Sequence, residues 1–137
     1  INSNRGQSIV EFALTLPILV LIILVIVEFG LMFNAQLTLN NASREGAREA
    51  VFIKGPDQDI EDVVIDYASS TLSNINYSHI SVTPASMASR VRGEEIRVTI
   101  AYPYTFQFQF IGVLAGTRDP DNVYRRVLNA ETAMRIE

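Results

Sequence analysis

Few side chains in this 137-residue sequence have a type and spacing that could support chemistry. There is no cysteine, and the single histidine, His79, stands outside any nucleophile–base pattern. The densest carboxylate cluster comprises Asp57, Asp59, Glu61 and Asp62. It lacks the glycine of a calcium-binding loop, so we interpret these carboxylates as favouring the N-terminal turn of a helix rather than as metal ligands. We therefore expect a protein that is not an enzyme and holds no metal or other cofactor.

Two further glutamates, Glu11 and Glu28, flank an uncharged apolar run from Phe12 to Val27. A carboxylate at the edge of a bilayer is costly and usually has a partner. Glu11 follows Ser8 at the spacing of a capping box, with Ser8 as the N-cap, and it could also pair with a positive group on a neighbouring subunit. Glu28 either marks the end of the membrane segment or needs a partner in a packed bundle. Both alternatives stay open for each residue.

The element that must position these glutamates is one long helix over Gln7 to Val51, which would measure about 65 Å. A bilayer's hydrocarbon core is about 30 Å thick, so this helix can span a membrane and project beyond it. Arg5 precedes the apolar run and favours an N-terminus on the cytoplasmic side. Pro17 removes the amide that would bond to the carbonyl of Ala13, which predicts a kink or local unwinding.

The second half of this helix carries a face of mostly small side chains at three- and four-residue spacing. This face comprises Ala35, Leu39, Ala42, Ser43, Gly46, Ala47 and Ala50. Small side chains let another helix or a sheet approach closely, so we expect this half to support a head domain. Lys54-Gly55-Pro56 should end the helix, because Gly favours a helix C-terminus and Pro cannot continue it.

The remaining sequence predicts a second helix and then strands. The helix should begin at Asp57 and present Ile60, Val63, Val64, Tyr67, Ala68 and Leu72 on its apolar face. Strands are predicted at His79–Thr83, Glu95–Tyr102 and Val127–Ile136 from their alternating pattern. The last should present Leu128, Ala130, Thr132 and Met134 on one face. Arg90–Glu94 and Arg118–Asn122 have the composition of turns.

An aromatic stretch lies between the last two of these strands. Thr105 to Phe110 alternates Phe106, Phe108 and Phe110 with two glutamines. It could form a strand with one aromatic face, or a loop that lays its rings on the head or on a partner. A core contribution is the commoner role for such rings, and we also name them as candidate contacts between heads.

Together these elements predict an α+β fold with the shape of a lollipop. Residues 1–53 would form the membrane or filament-core helix, with a short polar leader at 1–6. Residues 54–137 would form a head in which a short helix packs on a small antiparallel sheet of three or four strands. The net charge of −4 gives no reason to expect nucleic-acid binding, which requires a basic face.

The segment from Arg5 to Leu14, followed by Leu16-Pro17, resembles the N-terminus of the TadE-like family. These proteins are pseudopilins or minor pilins of tight-adherence pili and are related to type IV pilins. Later blocks agree with the family in the expected order, at Asn41–Arg48, Val98–Tyr104 and Ala130–Ile136.

The resemblance implies cleavage between Gly6 and Gln7 by a prepilin peptidase, with Glu11 five residues into the mature chain. In relatives that glutamate is thought to pair with the new N-terminal amine of a neighbour. Where residues 1–6 are retained, Arg5 of a neighbour is the alternative partner. In a bundle of such helices, Glu11, Pro17 and Glu28 would all face neighbouring subunits.

These expectations favour a structural subunit that assembles through its N-terminal helix into an extracellular filament. Its partners would be copies of itself and other pilin-like subunits, and the same helix would hold it in the cytoplasmic membrane before assembly. The alternative is a single-pass membrane protein that helps to assemble the pilus and is not a filament component.

Overall fold

The computed structural model describes residues 3–52, 57–84 and 91–136, and the side chains of residues 3–5, 52, 57 and 58 lie outside that description. The elements in chain order are α1 (Ser3–Phe52), α2 (Asp57–Ser69), a 3-10 turn (Tyr77–His79), β1 (Ile80–Thr83), β2 (Glu95–Thr105), α3 (Gln109–Ala115), β3 (Thr117–Arg118) and β4 (Tyr124–Arg135). The predicted α+β fold is confirmed. The predicted helix end at Lys54-Gly55-Pro56 lies outside the described residues.

Helix α1 is a single element of 50 residues, about 75 Å long. It continues as an α-helix on both sides of Pro17, so the helix is not unwound there. It begins at Ser3, and the capping box predicted at Ser8 and Glu11 is therefore wrong. The physical reason is that residues 4–7 extend the helix in front of Ser8, which places Ser8 in the helix interior instead of at its open end.

The sheet has the strand order β1-β2-β4-β3, and every pairing is antiparallel. Its centre is the pairing of β2 with β4, from Glu95 opposite Arg135 to Thr105 opposite Arg125. Strand β1 covers β2 only between Arg97 and Ile100. Strand β2 runs past the predicted end at Tyr102 and includes Pro103. A proline is tolerated there because β2 has an open edge beyond the end of β1.

The core forms where the second half of α1 meets α2 and the sheet. The whole predicted small face of α1 is buried. At Gly46 a Cβ atom would overlap Cγ2 of Val64 on α2, so only glycine permits this close approach. On the predicted apolar face of α2, Ile60, Val64 and Ala68 are buried, Val63 is half-buried and Tyr67 is exposed. Leu72 is also buried, but it follows the end of α2 at Ser69. The predicted inner face of β4 is also confirmed, with Leu128 and Ala130 buried and Thr132 and Met134 half-buried.

The chain around the aromatic stretch differs from a strand. Strand β2 ends at Thr105, where its last partner is Arg125, and the seven-residue helix α3 begins at Gln109. The turn after β3 is confirmed, because the amide of Asn122 donates to the carbonyl of Asp119 at 2.9 Å. The turn before β2 contains Gly93, whose φ of +93° favours glycine.

Candidate functional site

The first half of α1 exposes large apolar side chains in every direction around the helix. From Ile9 to Val27 these side chains are 41–70% exposed, apart from the half-buried Leu24 and Val25. The most apolar 18-residue window has a mean hydropathy of 2.9, and none of it is buried. A helix that is apolar all round is covered in its working state by lipid or by other protein. Among the described residues, this is the one helix long and apolar enough to cross a membrane.

Polar groups in this exposed half bond within their own helix. The Glu11 carboxylate accepts a hydrogen bond from Gln7 Nε2 at 3.2 Å. Thr15 Oγ1 donates to the carbonyl of Glu11 at 2.8 Å. Gly6 and Gln7, the predicted processing site, lie within α1. The side chain of Arg5 is outside the described ones, so its pairing with Glu11 of a neighbour stays a prediction.

Glu28 stands where α1 begins to pack on the head, although Phe29, Leu31 and Phe33, which follow it, stay 45–64% exposed. Its side chain is only 1% exposed and faces its own head, which corrects the expectation that it faces a neighbouring subunit. Its Oε1 accepts hydrogen bonds from the Tyr104 hydroxyl and the Gln107 amide, both at 3.0 Å, and its Oε2 accepts one from the Phe108 amide at 2.8 Å. A buried carboxylate is costly unless it is bonded, and here three donors of the same chain bond it.

The loop after β2 is built around this carboxylate. Phe106 turns into the core, where it is 2% exposed and its ring packs edge-on against Tyr104 at 5.7 Å. The side chain of Gln109 joins the loop to β4, since it donates to the Phe106 carbonyl at 2.6 Å and accepts from the Tyr124 amide at 2.9 Å. Burial raises the pKa of Tyr104, and the hydrogen bond to the Glu28 carboxylate raises it further.

The three rings named as candidate head contacts have different environments. Phe106 belongs to the core, so its assignment as a surface contact is wrong. Phe108 is half-buried, and its ring centroid lies 6.1 Å from that of Phe110. Phe110 is 47% exposed and remains available for contact. The role of Tyr104 carries no signal in the sequence around it, because it depends on a partner 76 positions away.

His79 has a structural role, and the described acidic side chains do not come together as a metal site. His79 packs edge-on against Tyr102 at 5.8 Å, and its Nδ1 accepts from the Asn76 amide at 3.3 Å. Among the side chains that the structure describes, which do not include that of Asp57, no group of three or more His, Cys, Asp or Glu could hold a metal ion.

Comparison with known proteins identifies one family. Residues 6–48 match the model of the TadE-like protein family. The match covers the exposed half of α1 and most of the half that packs on the head, and it stops before α2. The resemblance expected from the sequence is confirmed over this segment. Neither the curated proteins nor the solved structures contain a significant match to the chain.

Proposed function

We propose that this protein is a structural, non-enzymatic subunit of a pilus, which assembles through the exposed half of α1 into an extracellular filament. Before assembly, the same half of α1 holds the protein in the cytoplasmic membrane, with the N-terminus on the cytoplasmic side and the head outside. Its partners in the filament are further copies and other pilin-like subunits.

The observation that carries this proposal is the exposed apolar surface between Ile9 and Val27. Each large apolar side chain gains about 1.5–3 kcal/mol when it is fully removed from water, and the side chains from Ile9 to Val27, apart from Leu24 and Val25, are 41–70% exposed. Covering all of them therefore contributes on the order of 10–20 kcal/mol. Lipid provides such a cover for one chain, and the apolar helices of other subunits provide it in a bundle. The sheet of the head stays outside either cover because most of the exposed side chains on its strands are polar.

The match to TadE-like proteins supports the pilus as the destination, because the matched segment contains the surface that needs a cover. In this proposal Glu11 and Pro17 lie against neighbouring subunits in the filament. Cleavage after Gly6 would free the amine of Gln7, and Glu11 of an adjacent subunit would pair with it.

Intact mass and N-terminal sequencing of protein sheared from the cell surface test the proposal. Fibres that contain chains beginning at Gln7 would support a processed filament subunit. Fibres with uncleaved chains would keep the filament and remove the amine–Glu11 pairing. Protein found only in membranes would contradict the filament and favour the anchored assembly protein.

A matched pair of variants tests the role of Glu11. Glu11→Gln should reduce the amount of protein in the sheared fibres, whereas Asp66→Asn, which neutralises an exposed carboxylate on α2, should not. Equal amounts from both variants would show that the charge of Glu11 is not needed for assembly.

A further inference from the structure

Helix α3 exposes an apolar edge that the head leaves uncovered. Phe110, Val113 and Leu114 are 47%, 60% and 85% exposed, and Leu114 is the most exposed large hydrophobic side chain among the described residues. The opposite side of α3 packs on the head through Ile111, which is 2% exposed. We call Phe110, Val113 and Leu114 the α3 edge.

The hydrogen bonds of Glu28 determine where α3 lies along α1. The amide of Phe108, the residue just before α3, donates to Glu28 Oε2 at 2.8 Å. Helix α3 therefore begins at the level of residue 28 of α1.

Strand β4 places α3 at the same level by a second route. Gln36 Nε2 donates to the Asn129 carbonyl, and Ser43 Oγ lies 2.8 Å from Thr132 Oγ1. From Gln36 to Ser43 the helix rises about 10 Å, and from Asn129 to Thr132 the strand also rises about 10 Å. Strand β4 therefore runs alongside α1 and in the same direction. Tyr124, five strand residues before Asn129, is then about 17 Å closer to the N-terminal end of α1, at the level of about residue 25.

Helix α3 directly contacts the N-terminal end of β4. At Gly112 of α3, a Cβ atom would overlap Cβ of Tyr124. Two independent sets of contacts thus place α3 beside residues 25–28 of α1.

This level coincides with the boundary of the apolar segment. The uncharged run from Phe12 to Val27 rises about 24 Å, so a hydrocarbon core of about 30 Å that contains it ends between Val27 and about residue 31 on the head side. The headgroup region adds about 6 Å on each side of the core. When α1 spans a bilayer, the α3 edge therefore lies beside the boundary between the acyl chains and the headgroups of the leaflet nearest the head.

We propose that the α3 edge is a membrane-contact site, which inserts Phe110, Val113 and Leu114 into the interfacial layer of that leaflet. The proposal rests on the membrane-anchored state described above. It adds a second point of attachment, so that the head lies on the bilayer rather than moving freely above it. Arg126 fits this environment, because its Nη1 donates to the Ala115 carbonyl at 3.2 Å and so holds a cation beside the C-terminal end of α3. A cation there can approach the phosphates of lipid headgroups while the apolar edge contacts acyl chains.

Site-specific fluorescence tests this contact, and the absence of native cysteine makes single-cysteine variants straightforward. The full chain is placed at one copy per lipid nanodisc, with an environment-sensitive dye on Leu114→Cys or Val113→Cys. Ala133→Cys, exposed on the upper part of β4, serves as the aqueous control, and Leu19→Cys serves as the membrane-core control. Each variant is measured with lipids that carry a quencher close to the headgroup or deep in the acyl region.

The dyes at Leu114 and Val113 should show blue-shifted emission and stronger quenching by the shallow quencher than by the deep one. The dye at Ala133 should show neither effect, and the dye at Leu19 should be quenched most by the deep quencher. An aqueous signal at Leu114 with deep quenching at Leu19 would overturn the membrane-contact site and leave the anchored helix intact. Absence of quenching at Leu19 would contradict the membrane-anchored state and the contact site together. A blue shift at Leu114 that appears only when several chains share a disc would show that a second copy covers the edge, which also overturns the proposal.

Discussion

The carboxylate of Glu28 accepts a hydrogen bond of 3.0 Å from the hydroxyl of Tyr104, which is 76 positions further along the chain. This bond joins the middle of α1 to the end of β2. The same carboxylate also bonds the amides of Gln107 and Phe108, which are the last two residues of the loop that leads into α3. One side chain therefore connects the apolar helix, the central strand β2 and the loop that leads into α3.

Removal of this carboxylate should destabilise the head. Glu28→Ala leaves two backbone amides and a buried tyrosine hydroxyl without their acceptor, and we expect a loss of about 2–4 kcal/mol in the free energy of unfolding. Glu28→Gln should lose less, because one amide oxygen can still accept. Urea unfolding in detergent, followed by tyrosine fluorescence, measures the change.

Glu131→Ala is the matched control for that experiment. Glu131 also bonds a partner, Arg97, but on the exposed face of the sheet, so its removal should change the free energy of unfolding by less than about 1 kcal/mol. Equal losses from Glu28→Ala and Glu131→Ala would contradict the assigned role of Glu28.

The close approach of α1 and α2 predicts opposite effects at two glycines of α1. Gly46→Ala would bring a methyl group into Cγ2 of Val64 and should cost about 1–3 kcal/mol of stability. Gly30→Ala meets no atom within 4 Å and should gain up to about 1 kcal/mol from its higher helix propensity. Thermal unfolding of both variants provides the comparison. Val64→Ala combined with Gly46→Ala should recover part of the loss, and no recovery would show that crowding by Val64 is not its cause.

Substitution of two phenylalanines in the aromatic stretch should distinguish a core ring from a surface ring. Phe106→Ala empties a core position and should cost about 3–5 kcal/mol. Phe110→Ala removes a ring that is 47% exposed and should change stability by no more than about 0.5 kcal/mol. Chemical unfolding of the full chain in detergent measures both variants. If Phe110→Ala destabilised the head as strongly as Phe106→Ala, its ring would be part of the core.

The buried tyrosines predict a loss of stability at alkaline pH. Burial raises the pKa of Tyr104, and burial also raises the pKa of Tyr102. Unfolded tyrosine loses its proton near about pH 10, whereas the folded protein holds these protons to higher pH. Their contribution to stability is therefore complete below about pH 10 and is lost as the pH rises above it.

Ultraviolet absorbance of tyrosinate across this range tests the prediction. Tyr102 and Tyr104 should lose their protons at higher pH in the folded protein than in the unfolded chain. Tyr104→Phe should reduce the part of the absorbance change that occurs at this higher pH. A single titration step for all tyrosines in the folded protein would contradict the raised pKa values.

Elements with a regular pattern could be predicted from the sequence. The small face of α1 follows helical spacing and is buried as expected, because the spacing alone decides which side chains share a face. The inner face of β4 follows alternation in the same way. Both predictions depend on local order within one element.

The junction at Glu28 could not be predicted in this way. Two of its three donors are backbone amides, which carry no signature in the residue type, and all three lie in a distant part of the chain. Helix α3 was missed because the alternation of Phe106, Phe108 and Phe110 is typical of a strand. The strand ends at Thr105, so these rings fall in a loop and a short helix where alternation does not decide burial.

The continuity of α1 has an angular consequence for the whole molecule. Because one unbroken helix forms both the apolar rod and the support of the head, each residue between them sets the direction in which the head points. One residue inserted between Leu21 and Glu28 would rotate the head by about 100° around the rod and raise it by about 1.5 Å. Seven inserted residues would return the head to within about 20° of its original direction, but about 10 Å higher. The length of this segment therefore sets both the rotation of the head about the axis of α1 and its height above the apolar segment.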